Sequence, residues 1–125
     1  MAVLILKYNN RGGGIRMKRI LLFCSAGMST SLLVTKMQKA AQEKGEDVEI
    51  DAFPEAEMAK HLDGVDVVLL GPQIRFALNR AKKLCSEKGI PVDVVNSMDY
   101  GMMDGEKVLQ KALKMCEDSN GGVLK

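Results

Sequence analysis

Residues 19–34, "RILLFCSAGMSTSLLV", contain the change of pattern that decides the fold. Four apolar residues, Ile20 to Phe23, run without a polar interruption into Cys24, and small and hydroxyl-bearing residues follow before Leu32, Leu33 and Val34. An unbroken apolar run of this kind reads as a strand covered on both faces, which is the pattern of a parallel sheet. The stretch after it reads as a short turn into a helix that begins near Ser29 or Thr30, whose hydroxyls suit an N-cap. Strand, small-residue turn and helix together open an α/β unit.

The same alternation continues outward from this stretch. "VDVVLL" at 65–70 is a second nearly continuous apolar run, whereas "DVEIDAF" at 47–53 alternates and "VDVV" at 92–95 is short and mixed. The first strand and "VDVVLL" are therefore expected at the centre of a sheet, with the other two at its edges. Apolar residues at helical spacing mark the connections: Leu33, Met37, Ala40 and Ala41; then Ala59 and Leu62; then Ile74, Leu78, Ala81 and Cys85; then Val108, Ala112, Met115 and Cys116. Gly45, Gly64 and Gly89 punctuate the ends, and Asp104 is placed to cap the last helix. Four strands joined by crossover helices predict a three-layer α/β fold with a parallel sheet in the order 2-1-3-4, of phosphatase-like or doubly wound type. Such a sheet has its switch point between strands one and three, where ligands bind at the carboxyl ends, and Cys24 falls there.

Composition excludes several classes of function. The chain has 125 residues, 46% hydrophobic and 27% charged, with a formal charge of +2, two Tyr, three Phe and no Trp. That fits one soluble domain and, with no basic block, argues against a nucleic-acid partner. Cys24, Cys85 and Cys116 are far apart, odd in number and match no short-spaced metal pattern, so reduced thiols in a cytoplasm are expected, with no metal and no cofactor. No apolar run approaches the roughly 20 residues of a membrane helix, and no secretory signal is evident. "NNRGGGIR" at 9–16 reads as the end of a flexible leader, so residues 1–16 are expected to lie outside the domain, with Met17 as the natural start. The domain is expected over 17–118, followed by a tail over 119–125, and nothing in the sequence calls for more than one copy.

The position of Cys24 suggests its chemistry. Free backbone N–H groups and the positive end of a helix dipole converge where a strand turns into a helix, and an anion is stabilised there. A thiolate is one such anion, and a phosphate carried on sulfur is another of higher charge. Gly27 permits close backbone approach, while the hydroxyls of Ser25, Ser29, Thr30 and Ser31 add donors with little bulk. The plainer reading is a buried cysteine beside an ordinary capped turn; Cys85 and Cys116, on apolar helix faces, are expected to serve packing.

"LLFCSAGMSTSLLV", "DVVLLGPQI" at 66–74 and "YGMMDG" at 100–105 closely resemble the enzyme IIB component of the bacterial phosphotransferase system, in its lactose/cellobiose (chitobiose) class. The likeness extends from about Lys18 to Glu117. It implies that Cys24 is the phosphorylated nucleophile and that Ser25, Ala26, Gly27, Met28, Ser29, Thr30 and Ser31 cradle the phosphate. It further implies a phosphohistidine on enzyme IIA as donor and, as acceptor, a cellobiose-, chitobiose- or lactose-type sugar held by the membrane-embedded enzyme IIC. The protein would then be a cytoplasmic phosphotransferase associated peripherally with its permease.

Other residues carry expectations of their own. Pro72 and Gln73, with Gly71, follow the third strand and are expected to wall the site; Tyr100 and Met102, with Met28 and Met103, are expected at a rim for transient partners, the alternative being that they fill core gaps. A low-molecular-weight phosphatase or arsenate-reductase-like thiol enzyme is the main rival. Those phosphatases resemble this topology but carry an arginine six positions after the cysteine, where this chain has Thr30, and a later acid for which Asp99 is the candidate. His61 reads as a solvated surface residue, and Asp66 as a loop-end residue at the start of a strand.

Overall fold

A computed structural model describes residues 17–25 and 28–124, apart from the side chains of 28–30 and 119–124, so the expected leader lies outside the described residues. The four strands are β1 (Lys18–Cys24), β2 (Val48–Pro54), β3 (Val67–Leu70) and β4 (Val92–Val94). They form a parallel sheet in the order β2-β1-β3-β4. The two apolar runs are thus central and the two mixed ones are edges, as their patterns require.

The connecting helices are α1 (Met28–Lys44), α2 (Leu78–Ser86), α3 (Ser97–Gly101) and α4 (Gly105–Leu124). Side chains alternate across the sheet and divide the core in two. Ile20, Leu22, Val67 and Leu69 pack with Leu33 and Met37 of α1 and with Val108, Leu109 and Ala112 of α4. Leu21, Phe23, Val68 and Leu70 pack on the opposite face with Met58, Leu62, Ala81 and Cys85. The result is three layers with β1 and β3 covered on both sides.

Polar contacts pin the amino ends of the strands. The Asp66 carboxylate accepts from the Arg19 N–H at 2.8 Å, and the Asp66 N–H donates to the Arg19 carbonyl at 2.9 Å. Asp66 therefore extends the β1–β3 ladder by one residue at the position where the apolar run is interrupted. Gly45, Gly64 and Gly89 all have positive φ, as expected where the chain reverses after each helical segment.

The elements differ from expectation in three places. The second apolar-spaced segment is a 3-10 helix, Glu55–Lys60, too short to complete α-helical turns between β2 and the loop to β3. The third does not begin at Ile74: a 3-10 segment, Pro72–Ala77, precedes α2 and is kinked at Ile74, whose φ and ψ are −116° and 30°. Burial decides this, because Ile74 turns into the core while Pro72, which has no N–H to donate, starts the turn. The residues expected to form a tail from 119 continue α4 to Leu124. The expected cap is present, since the Asp104 carboxylate accepts from the Lys107 N–H at 3.1 Å.

Candidate active site

Cys24 is the last residue of β1, with Pro54 beside it on β2 and Gly71 following β3 on the other side. The Gly71 N–H donates to the Phe23 carbonyl at 2.9 Å, which ties the residue after β3 to the end of β1. A Cβ on Gly71 would lie 3.7 Å from the Cys24 Cβ. The Cys24 side chain is 3% exposed and the next residue, Ser25, is exposed, so the boundary between core and solvent passes between them.

The helix after Cys24 starts at Met28, slightly earlier than the caps suggested. Met28, Ser29, Thr30 and Ser31 therefore form its first turn, whose N–H groups have no acceptor within the helix. Ser31 is exposed and its carbonyl accepts from the Thr35 hydroxyl at 3.2 Å. Ala26 and Gly27, and the side chains of Met28, Ser29 and Thr30, lie outside the described residues.

Gln73 is exposed and its Oε1 lies against the space above Gly71, the same space that the Cys24 Cβ borders; Pro72 is half-buried next to it. Tyr100 is not at a rim. It is 7% exposed and belongs to the core cluster of α1 and α4, because α3 turns its inner face to that layer. Met103 is partly buried against the same cluster, whereas Met102 is 71% exposed. Leu32, Phe76 and Met98 are also exposed, and like Met102 they come from segments that follow the carboxyl ends of β1, β3 and β4. For Phe76 the sequence held a signal: it falls off the spacing of Ile74, Leu78, Ala81 and Cys85. Helix α3 held one too, in "NSMD". The Asn96 side chain accepts from the N–H groups of Met98 at 2.8 Å and Asp99 at 3.2 Å.

Beyond Gln73, a groove of about 510 Å³ runs along the end of β4, lined by Arg75 and Leu78 and by the stretch from Asp93 to Ser97. Burial there works to raise the Asp93 carboxyl, but the Val94 N–H and the Lys111 ammonium, 3.1 Å away, outweigh it and hold the group below its ordinary value. His61 stacks on Phe53 with ring centroids 3.8 Å apart and faces the Glu57 carboxylate at 3.1 Å. It is half-buried rather than freely solvated, and its partners are local. Among the described residues no group of three or more His, Cys, Asp or Glu could hold a metal ion, and no helix is long and apolar enough to cross a membrane.

Cys24 thus stands at the carboxyl edge of a parallel sheet, at the switch point between β1 and β3 where open α/β sheets bind ligands. Residues 19–111 match the family "PTS system, Lactose/Cellobiose specific IIB subunit", and the chain belongs to that family. It is 51% identical over 100 residues to the galactose-specific EIIB component of Lactococcus lactis subsp. cremoris, covering 76% of this chain and 93% of that protein. The cellobiose-specific EIIB component of Lactococcus lactis subsp. lactis is 50% identical, with the same coverage. The oligo-beta-mannoside-specific EIIB component of Bacillus subtilis is 46% identical over 79% of this chain and 96% of its own length. Among solved structures, the cellobiose-specific IIB component of Borrelia burgdorferi superposes with a TM-score of 0.72 at 43% identity, covering 85% of this chain and 97% of that one. The lactose-specific IIB domain of Streptococcus pneumoniae, 19% identical, shares the fold with a TM-score of 0.73 over 80% of this chain and 98% of that one. The chain is thus a sugar-specific IIB component of the lactose/cellobiose class.

Proposed function

We propose that this chain is a cytoplasmic phosphocarrier whose Cys24 accepts a phosphoryl group from a phosphohistidine of enzyme IIA and passes it to a β-linked sugar held by enzyme IIC. The observation that supports this most is the position of Cys24, at the end of a central strand, four residues before Met28 opens α1. In the first step the thiolate attacks phosphorus in line, the S–P bond forms as the N–P bond breaks, and the electron pair leaves with the imidazole. In the second a sugar hydroxyl attacks, the S–P bond breaks, and the thiolate is regenerated as the hydroxyl proton passes to a base of the partner. The first-turn N–H groups of α1 and the hydroxyls of Ser25, Ser29, Thr30 and Ser31 stabilise the charge on the equatorial oxygens.

The acceptor is an oligosaccharide of the cellobiose type, the sugar being chosen by the permease; relatives of nearly equal identity carry galactose, cellobiose and oligo-mannoside in their names. Exposed Leu32, Phe76, Met98 and Met102 give both partners an apolar rim that can be covered and released. The test is intact mass after incubation with phosphoenolpyruvate, the general phosphotransferase proteins and a cognate IIA. Wild type is expected to gain one phosphate and Cys24→Ser none. An unmodified wild type with a competent donor would overturn the proposal.

A further inference from the structure

We infer that Gln73 is a phosphoryl-contacting residue, its carboxamide donating to the phosphate on Cys24; this rests on the phosphocarrier reading. A Cβ built on Gly71 would stand 2.7 Å from the Gln73 Oε1 and 3.7 Å from the Cys24 Cβ. One point in space therefore touches both side chains, and it is open only because residue 71 is glycine. The glycine is not there for its backbone. Its φ of −63° and ψ of 149° suit any residue, and its N–H serves the ladder to Phe23 regardless of side chain. What an added methyl would meet too closely is the end of Gln73.

The carboxamide is also uncommitted. Gln73 is exposed, and its side chain makes no hydrogen bond among the described residues. A half-turn about its last torsion exchanges Oε1 for Nε2, which presents two N–H donors in place of an acceptor. Pro72 opens the 3-10 turn that carries Gln73, and Ile74, buried beside it, anchors the turn to the core. A neutral donor in that position holds a phosphate without the full charge of an arginine, which suits a group that must leave again.

The phosphoryl contact and a partner contact are separated by equilibrium. A residue that touches only a partner changes how fast phosphate moves, whereas one that touches the phosphate changes where it rests. Purified phospho-IIA is mixed with wild type, Gln73→Ala and Gly71→Ala, and the partition of phosphate is read by intact mass after exchange stops, with the phosphocysteine ³¹P resonance recorded in parallel. Both variants are expected to shift the partition toward IIA by about tenfold, the scale of one charge-assisted hydrogen bond, and to move the ³¹P resonance while melting as wild type does. Gln73→Glu, which removes the donor and adds a negative charge, is expected to shift it further. A wild-type partition and resonance in Gln73→Ala, with slower transfer alone, would overturn the inference and leave Gln73 a docking residue. A wild type that takes no phosphate would instead overturn the carrier reading itself.

Discussion

Cys24 and Cys85 are both buried, yet they sit in different chemistry. Cys24 ends a strand at an exposed turn, whereas Cys85 is wholly enclosed between α2 and the sheet, and burial pushes its thiol up from 9.0 to about 11. Folding thus keeps Cys85 neutral, so it adds stability that is fully present below pH 9, the unfolded value, and is lost as pH rises toward 11. Iodoacetamide at pH 8 is expected to leave Cys85 unmodified in the native protein and to label it after denaturation, as peptide mapping would show; native labelling would contradict its enclosure. Helical spacing in the sequence put Cys85 on a core-facing helix side, where it lies, and the end of the apolar run put Cys24 at the end of the first strand, where it lies. The sequence could not separate Tyr100 from Met102. Both lie in one short apolar stretch, and only the direction in which α3 packs sends Tyr100 inward and Met102 out.

Helix boundaries follow competition between local signals and packing. The Asp104 cap was legible because a side-chain carboxylate three residues before a free N–H is a local event. The break before α2 was not, because Ile74, Leu78 and Ala81 keep helical spacing across the kink at Ile74. The same limit applies to the crossing of α1 and α4. A Cβ on Gly105 would come within 2.6 Å of the Lys36 carbonyl carbon and 2.7 Å of the Met37 nitrogen, both backbone atoms that cannot turn aside. Gly105→Ala is therefore expected to cost about 1–3 kcal/mol by forcing the helices apart, measured by urea denaturation. Wild-type stability in that variant would show that the two backbones are not in close contact.

At the scale of the whole domain, the two cores share the central strands. Leu69 faces the layer of α1 and α4 and its neighbour Leu70 the layer of α2, and each is fully enclosed. Leu69→Ala and Leu70→Ala are each expected to cost about 2–5 kcal/mol and to give a single unfolding transition, because neither layer keeps a sheet to pack on without the other. Two separate transitions, by circular dichroism and by Cys85 labelling, would show instead that the layers unfold independently. Strand type, sheet order and the place of Cys24 were all legible in the linear chain, because period and apolar continuity reflect which faces are covered. The sequence also put Gly71 and Gln73 at the edge that carries Cys24, but tertiary structure alone decided that the Gln73 Oε1 stands in the space a side chain on residue 71 would fill and that Tyr100 is core. Those facts depend on how β3 and α3 are set against β1 and α4, and such long-range contacts leave no periodic trace in the segments that make them.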